Sequence, residues 1–424
     1  MAPPEVASME LPLIDLAALV PDATPPLPVC ARTAALASLR GALSAVGFFH
    51  LTNHGICSEL QTRLLAAVTA FFDLPAAEKE AVALRGRPGT GRGYQRLRES
   101  VTAGSADVHE AVDIYATVAS DDASLRGAVT ALQASAATGA SAAAALTELV
   151  TADNPTLPSD LHALLNEYVA AARVAAAATL GVVAEAAGLD AATTTAVAKG
   201  AFWNARLISY PPVGAGVGAG VDAAGVAVLP PPKGELGCGA HCDYGLLTFV
   251  AATRNAASRG CLQVWSPDAG APEGGVWVAA DPPPGAPADT LVVNVGDWLA
   301  AATGGAIRSS RHRVVSPSRV GEGEGDDRRI SVPFFFEPAL DARPPGAMVA
   351  ATEAASKPTA AVGKQGSEEG TTASATTAAA TAAATTPSSL VTHSGRQVSC
   401  YGEFLLSKVA TNFAFETAGG GGGL

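Results

Sequence analysis

The stretch "GCGAHCDYGLLTF", residues 237–249, places a histidine and an aspartate one residue apart at the start of a run of strand-forming residues. In a β-strand, side chains two positions apart project from the same face. His241 and Asp243 can therefore converge on one metal ion. The pair by itself fits a solvent-exposed strand end equally well, so a third ligand and a scaffold must come from elsewhere in the chain.

A third ligand is suggested by "SSRHRVVSP", in which His312 precedes strand-forming residues. Two imidazoles and one carboxylate on one face of an ion leave three positions open for substrates, the arrangement of non-haem Fe(II) oxygenases. His312 is the best-placed third imidazole. The chain has seven histidines, and the others lie in helical, low-complexity or strand-and-turn contexts: His50, His54, His109, His162 and His393. For His50 and His54, in "GFFHLTNHGI", packing and turn hydrogen bonds are expected.

A zinc site is the alternative for this stretch, because Cys238 and Cys242 lie beside His241 and Cys261 follows. A C-x3-C pair without a second close pair is a weak signal for zinc. The six cysteines are scattered without any C-x-x-C pair, in a chain too long to need disulfides for stability. This usage favours a reducing compartment, and we expect a cytoplasmic protein.

The pattern of short strands indicates the fold. Beyond residue 200, runs of strand-forming residues alternate with proline and glycine turns, which predicts an antiparallel sandwich or barrel. The runs are "ARLISYPP", "HCDYGLLTFVAA", "CLQVWS", "VWVAAD", "TLVVNVGDWL", "RHRVVSP" and "RISVPFFFEP". Before them, a long helix is predicted from a cap signal at 158–160 to Gly188, and the first 117 residues mix extended segments with helices over 32–46 and 58–72.

A second constellation, in "DDRRISVPFFF", is suited to bind a carboxylate. Alternation along a strand places Arg329 and Ser331 on one face and Arg328 on the other. A guanidinium group donates two parallel hydrogen bonds to a carboxylate, so a dicarboxylate is implied. The alternative for Arg329 is a surface pair with the acidic loop "GEGEGDD", a role that suits Arg328 better. Tyr210, at the end of "ARLISYPP", could donate to the same ligand or be structural.

Composition excludes several other functions. The formal charge of −12 argues against a nucleic-acid or anionic-membrane partner. The N-terminus lacks a targeting signal, and "VAAARVAAAATLGVVAEAAG" reads as a core helix because an arginine and a glutamate interrupt it. The run "VGAGVGAG" at 213–220 lacks the dinucleotide-binding spacing and is interpreted as a loop insertion.

Taken together, these blocks resemble the 2-oxoglutarate- and Fe(II)-dependent dioxygenases of the isopenicillin N synthase-like group. The N-terminal blocks are "LPLIDL", "GFFHLTNHGI", "FFDLPAAEKE", "GRGYQRL" and "DVHEAVDIY", and the C-terminal blocks are those of the strands quoted above. The resemblance implies a mixed α+β chain with a double-stranded β-helix, or jelly-roll, core flanked by helices and an α/β N-terminal domain. Many members have an asparagine where this chain has Ile208, so one contact to the co-substrate is missing.

The resemblance also implies site residues and cofactors. His241, Asp243 and His312 would bind Fe(II), Arg329 and Ser331 would hold the distal carboxylate of 2-oxoglutarate, and Tyr210 would contact that co-substrate. Dioxygen would be the oxidant, and ascorbate is a candidate for a further cofactor. The expected domains are 10–117 (N-terminal), 118–153 (Ala-rich insertion or linker), 154–345 (catalytic), 346–390 (disordered low-complexity insertion) and 391–416 (C-terminal helix).

The expected function is oxidation of a small organic metabolite, most simply hydroxylation, with release of succinate and CO2. Two alternatives stay open from the sequence. One is an Fe(II)-dependent oxidase of the same fold that does not use 2-oxoglutarate, and the other is a non-catalytic ligand-binding barrel. The primary substrate and the oligomeric state have no readable signal in the residues.

Overall fold

The computed structural model describes residues 11–20, 25–84, 89–134, 139–189, 194–195, 198–212, 220–221, 227–228, 236–267, 274–317, 327–344, 390 and 397–412. Within them the helices are α1 (Leu16–Leu19), α2 (Val29–Ala45), α3 (Ser58–Phe72), α4 (Ala76–Glu80), α5 (Ala123–Ala134), α6 (Gly139–Thr151), α7 (Ser159–Ala187), α8 (Asp297–Ala302) and α9 (Tyr401–Asn412). The strands are β1 (Leu13–Asp15), β2 (Phe48–Thr52), β3 (Gly93–Gln95), β4 (Val101–Thr102), β5 (Ser105–Ala106), β6 (Glu110–Tyr115), β7 (Phe202–Tyr210), β8 (Gly220–Val221), β9 (Ala227–Val228), β10 (Leu236–His241), β11 (Leu247–Ala252), β12 (Leu262–Pro267), β13 (Gly275–Ala279), β14 (Leu291–Val295), β15 (His312–Val315) and β16 (Arg329–Glu337).

Two sheets form the core of the described fold. The larger has eight strands in the order β1-β2-β14-β11-β16-β7-β6-β3, and the smaller has four in the order β10-β15-β12-β13. Every pair in them is antiparallel except β1 with β2. The predicted jelly-roll core is confirmed.

Alternation along the strands produces two separate cores. Residues from both sheets, including Val264, Val292 and Val314, pack together in the layer between them. The opposite face of the large sheet packs against the helices, with Phe249 and Phe334 among its buried residues. Because successive side chains of a strand point to opposite faces, each strand of the large sheet contributes to both cores.

The predicted N-terminal domain shares its strands with the large sheet. β2 pairs with β14 at one side of this sheet, and β6 pairs with β7 at the other. The N-terminal residues therefore extend the catalytic sheet at both edges. The domain boundaries themselves stay a prediction.

The long helix α7 begins one residue after Pro158 and ends at Gly188, whose φ of 75° is the left-handed conformation that glycine favours. The helix ends at Gly188, as predicted. Its start differs from the predicted side-chain cap, because Pro158 occupies the N-cap position and no side chain caps the helix there. Among the described helices, α7 alone is long and apolar enough to cross a membrane. More than half of its apolar window is buried in the fold, and it contacts α2 and α3, as a core helix does.

The segment predicted as an insertion or linker, 118–153, contains α5 and α6. Both bury one side, through Leu125 and Leu132 in α5 and Leu146 in α6, and both contact α9. The C-terminal helix, predicted within 391–416, is α9, and Tyr401 at its start donates a hydrogen bond to Glu337 of β16. The predicted low-complexity insertion lies outside the described residues up to 389.

Candidate iron and 2-oxoglutarate site

His241, Asp243 and His312 lie together at one end of the barrel. His241 is the last residue of β10 and His312 the first of β15, and the two stand directly opposite each other in the ladder. The Nε2 atom of each imidazole is 3.7 Å from Asp243 Oδ1. One ligand atom from each residue lies within 4.8 Å of the others. The sequence predicts that strand alternation places His241 and Asp243 on one face. Instead, β10 ends at His241, and the turn after the strand brings Asp243 beside it.

Backbone carbonyls fix the orientation of both imidazoles. His241 Nδ1 is 2.8 Å from the carbonyl oxygen of Gly239, and His312 Nδ1 is 3.2 Å from that of Ser310. A carbonyl accepts only, so each Nδ1 carries a proton, and Nε2 is the nitrogen left to bind a metal. A metal-binding imidazole is oriented in this way, and both Nε2 atoms face the Asp243 carboxylate.

The carboxylate of Asp243 is held by two side chains that sequence reasoning missed. Thr248 Oγ1 donates to Asp243 Oδ2 at 2.6 Å, and Asn294 Nδ2 donates to the same oxygen at 2.7 Å. Oδ1 is therefore the oxygen that faces the histidines. A polar residue at an inward position of an apolar run, as in "LLTF" and "LVVNV", was the available signal.

The backbone after Asp243 is anchored on the start of α8. The carbonyl oxygens of residues 243, 244 and 245 accept hydrogen bonds from the amides of residues 297, 298 and 299. Gly296 makes this close approach possible, because a Cβ there would lie 2.4 Å from the carbonyl oxygen of Gly245. The "VGDWL" block thus has a structural task, which is to hold the turn that carries Asp243.

Electrostatics favour the ligand forms of His312 and Asp243 and keep a proton on His241 while no metal is bound. Burial and the neighbouring His241 together lower the pKa of His312 to about 4, so this imidazole is neutral at pH 7. Burial also acts to lower the pKa of His241, but Cys238 and Asp243 outweigh it and raise that pKa to about 10. Burial would raise the pKa of Asp243, but the two histidines and the two hydrogen-bond donors outweigh it and lower the pKa. Asp243 is therefore an anion next to a neutral imidazole.

The zinc alternative is not assembled. Cys238 Sγ is 3.7 Å from His241 Nδ1, but that nitrogen already bonds to a carbonyl. Cys242 Sγ is turned towards the carbonyl of Ser309, and Cys261 Sγ towards that of Ala257. Within the part of the chain that the structure describes, the iron triad is the one group of three or more side chains placed to share an ion.

Arg329 and Ser331 share the inner face of the barrel, as predicted. They stand opposite Tyr210 and Ile208 of β7. Arg329 is 2% exposed, and its Nη1 donates to Asp281 Oδ1 at 2.7 Å and to the Ser258 carbonyl at 3.3 Å. Asp281, which the sequence did not suggest, is thus its charged partner. Arg328 points away and pairs with Asp73 at 2.8 Å, a residue distant in sequence from the acidic loop.

The donors of this pair fit a dicarboxylate. Among the described residues, Arg329 Nε is buried without a hydrogen-bond partner, although Nη1 has two. A buried donor without a partner costs stability, and a ligand carboxylate would satisfy it. Arg329, Asp281 and Ser258 also border a cavity of about 1750 Å3 that reaches α2, but its lining does not include the triad, Tyr210 or Ser331, so the cavity does not mark the iron site. The residues present therefore fit 2-oxoglutarate at Arg329 and Fe(II) at the triad.

Tyr210 is buried at the end of β7, directly opposite Arg329. Its ring packs edge-on against His109 at 5.5 Å, and burial raises the pKa of its phenol, which stays protonated. A Cβ on Gly237 would lie 2.6 Å from this ring, so glycine is needed there.

His50 and His54 have the structural roles expected for them. His50 Nε2 is 3.0 Å from the Ala280 carbonyl, and His54 Nε2 is 2.9 Å from that of Asp289. The other nitrogen of His54 accepts from the amide of Ile56. Neither histidine belongs to the metal cluster.

Two family models match the chain. Residues 11–133 match the non-haem dioxygenase in morphine synthesis N-terminal domain, and residues 208–338 match the 2OG-Fe(II) oxygenase superfamily. Together the two matches span more than half of the chain. The chain belongs to the 2OG-Fe(II) oxygenase superfamily. The predicted 2-oxoglutarate/Fe(II) oxygenase family is confirmed.

Relatives of the oxygenase share most of their length with it. A homoarginine-6-hydroxylase of Oryza sativa subsp. japonica is 30% identical over 78% of this chain and 87% of its own. A homoarginine-6-hydroxylase of Arabidopsis thaliana is 31% identical over 70% of this chain and 74% of its own. The validamycin A dioxygenase of Streptomyces hygroscopicus subsp. limoneus is 30% identical over 70% of each chain.

Solved structures share the fold. A Neurospora crassa protein in complex with alpha-KG and thymine matches with a TM-score of 0.54 at 22% identity, over 79% of this chain and 89% of its own. JOX2 in complex with 2OG, Fe and JA matches with a TM-score of 0.51 at 21% identity, over 80% and 78%. The family match and the names of the curated relatives, and not these structures, show that the oxygenase is a 2-oxoglutarate- and Fe(II)-dependent dioxygenase. Neither an oxidase without 2-oxoglutarate nor a non-catalytic barrel is supported.

Proposed function

We propose that this dioxygenase hydroxylates a small organic metabolite, with His241, Asp243 and His312 as the iron ligands. One observation carries this assignment. The metal-facing atom of each side chain points to a common centre, while its other polar atom is bonded to the protein. Fe(II), when bound there, supplies the activation of dioxygen that oxidises the substrate while 2-oxoglutarate is converted to succinate and CO2.

The protein's own contribution is to hold and orient these groups. Three protein ligands on one face leave the opposite face for the co-substrate and dioxygen. We assign the distal carboxylate of 2-oxoglutarate to Arg329, whose unpaired Nε supports this role, and to Ser331 beside it. Tyr210, opposite Arg329, would border the same carboxylate.

The primary substrate is proposed to be a small, polar metabolite, with the reaction in the cytoplasm. The names of the relatives support small molecules, because they include homoarginine-6-hydroxylases and a validamycin A dioxygenase. L-Homoarginine is therefore the first compound to test. The scattered free cysteines support a reducing compartment.

The test measures succinate formed by purified protein with Fe(II), 2-oxoglutarate and L-homoarginine, compared with His312→Ala. Loss of iron binding and of turnover is expected, because the variant keeps only two ligands. His162→Ala, at an exposed position of α7, is the matched control and should behave as wild type. If His312→Ala kept wild-type iron content and turnover, the ligand assignment would be wrong.

A further inference from the structure

Arg206 and Asp113 stand opposite each other on β7 and β6. Both face the barrel interior, because Ile208 and Ala111, two positions along each strand, pack in the core between the sheets. Arg206 Nε is 3.6 Å from Asp113 Oδ1, which is an ion pair without a hydrogen bond. The two side chains are 19% and 4% exposed, so two opposite charges lie largely buried on the inner wall.

This wall holds three buried polar atoms without a hydrogen-bond partner in the described parts of the chain. They are Arg206 Nε, Asp113 Oδ2 and Asn204 Oδ1, and Asn204 lies two residues before Arg206 on the same face. Folded proteins rarely leave such atoms unpaired, since each costs stability. Three in one place, with one donor and two acceptors, point to a ligand that has both a donor and an acceptor.

Neighbouring side chains hold Arg206 in position and leave part of it available. Its Nη2 donates to Gln95 Oε1 at 2.6 Å and to Ser100 Oγ at 2.7 Å, and His109 Nε2 lies 3.3 Å from the same nitrogen. These contacts all use Nη2, so the guanidinium is oriented while its Nε, which faces Asp113 Oδ1 at 3.6 Å, has no hydrogen-bond partner. An oriented guanidinium with one N–H left unbonded can donate a charge-assisted hydrogen bond to a carboxylate.

The sheet connects this wall to the iron site. Thr248 donates to the Asp243 ligand and stands opposite Phe335, which stands opposite Asn204. Since neighbouring strands lie about 4.8 Å apart, Asn204 is about 10 Å from Thr248 across the sheet. Phe335 is partly exposed between them and offers an apolar surface. A ligand head group at Arg206 and Asp113 would therefore reach the metal through a chain of several carbons.

We propose that Arg206 and Asp113 bind the head group of a zwitterionic α-amino acid, which is the primary substrate, with its carboxylate on Arg206 and its ammonium on Asp113. The proposal rests on the proposed function and names the substrate class of that site. An ionised carboxylate only accepts hydrogen bonds, so Asp113 suits an ammonium. Burial raises the pKa of Asp113 to about 6 against the effect of Arg206, which leaves this carboxyl group mostly ionised at pH 7.5.

Matched ligand pairs test the carboxylate half of the proposal. L-Lysine is compared with cadaverine, and L-arginine with agmatine, for the concentration that half-maximally stimulates 2-oxoglutarate decarboxylation by the iron-loaded enzyme. The rise in melting temperature on ligand addition is the second readout. Wild type should prefer at least one amino acid over its amine by about tenfold or more, the size expected for one charged hydrogen-bond partner.

Variants then locate the preference. Arg206→Met should bring the ratio between amino acid and amine close to one, and Arg206→Lys should retain part of it. Asp113→Asn should instead weaken the preference for L-lysine over Nα-acetyl-L-lysine. Arg32→Met, on the surface beside Glu185, is the control and should keep the wild-type ratios. Ratios within one variant do not depend on how much of that variant is folded.

Two results would overturn the proposal. One is a wild-type enzyme for which no member of a panel of L-α-amino acids stimulates decarboxylation or raises the melting temperature. The other is an Arg206→Met variant that keeps the full preference. Stabilisation of the iron-loaded protein by 2-oxoglutarate alone is measured in parallel. If 2-oxoglutarate fails to stabilise the protein, the proposed function fails; if it stabilises and the amino acids do not, only the substrate class is wrong.

Discussion

The iron triad and the Arg329 clamp occupy one barrel, yet they are supported by different kinds of partner. At the triad, neutral groups hold the ligands: two backbone carbonyls, a hydroxyl and a side-chain amide. At the clamp, the charge of Arg329 is balanced by an anion, Asp281, which is fixed in turn by the amide of Leu262 at 3.1 Å.

Because of this difference, the partners of the iron ligands only orient them, whereas the partner of Arg329 also competes with the ligand carboxylate. Neutral partners orient the iron ligands without competing for the metal, because none of them offers a charge to it. Asp281 stabilises a buried cation when no ligand is bound, but it also places a second negative charge beside the carboxylate that Arg329 is assigned to bind. The clamp should therefore be stable when empty and weaker than an unpaired arginine would be.

The largest effect is expected from Asp243→Ala, which removes the anionic ligand. Iron binding and 2-oxoglutarate turnover should fall to background, since two neutral imidazoles remain. The measurement is iron content after gel filtration together with succinate release. Asp160→Ala, at an exposed position at the start of α7, is the control. Wild-type iron content in Asp243→Ala would refute the assigned triad.

The next effect is expected from Arg329→Ala. Hydrogen bonds to charged groups contribute about 1.5–3 kcal/mol each, so the 2-oxoglutarate concentration needed for turnover should rise by roughly tenfold to a thousandfold. Titration of 2-oxoglutarate gives this value, and thermal melting checks that the variant is folded. Arg329→Lys keeps the charge, so its 2-oxoglutarate requirement should lie between those of wild type and Arg329→Ala. An unchanged requirement in both variants would argue against the clamp.

A smaller loss, of iron affinity, is expected from Asn294→Leu and from Thr248→Val. Each removes one donor to Asp243 Oδ2, and loss of such an outer partner typically weakens metal affinity by about 10- to 100-fold. Iron titration monitored by activity measures the change. Thr179→Val is a matched control, because its buried hydroxyl bonds only to the Ala175 carbonyl within α7. Equal effects of the control and the two variants would mean that only stability had changed.

The smallest change in 2-oxoglutarate affinity, and the one with opposite sign, is expected from Asp281→Asn. Removing the competing charge should tighten 2-oxoglutarate binding by a few-fold, while the unpaired arginine lowers the melting temperature of the ligand-free protein. Thermal melting with and without 2-oxoglutarate reads both effects. Weaker 2-oxoglutarate binding in Asp281→Asn would show that Asp281 mainly orients Arg329. The partners of the Arg329 clamp would then orient without competing, as those of the iron triad do.

Local pattern was sufficient for much of the fold. The helix over 58–72 has the predicted bounds, α7 ends at Gly188, and the apolar runs after residue 200 form the strands of the two sheets. These features depend on hydrophobic periodicity and on glycine, which act within a few residues. The cap of α7 was predicted wrongly, because Pro158 occupies the position expected for a side-chain cap.

The partners of the site depend on contacts that are distant in sequence. Thr248 and Asn294 meet Asp243 only because β11 and β14 are neighbours, and Asp281 reaches Arg329 across 48 positions of the chain. A single sequence has no spacing rule for such contacts. An inward-facing polar residue in an apolar strand was the available signal. It indicates that this residue has a polar partner, but it does not indicate which residue that partner is.

The sequence by itself indicated the residues to which we assign the chemistry: two histidines and an aspartate for the metal, and an arginine beside a serine for a dicarboxylate. Residue type and short spacing decide these, because ligand chemistry and strand alternation are local properties. The tertiary structure alone decided what supports them. Three features arise from strands brought together by the packing of two sheets. They are the turn that presents Asp243, the pairing of Arg329 with Asp281, and the buried ion pair of Arg206 with Asp113, which leaves Nε and Oδ2 without hydrogen bonds.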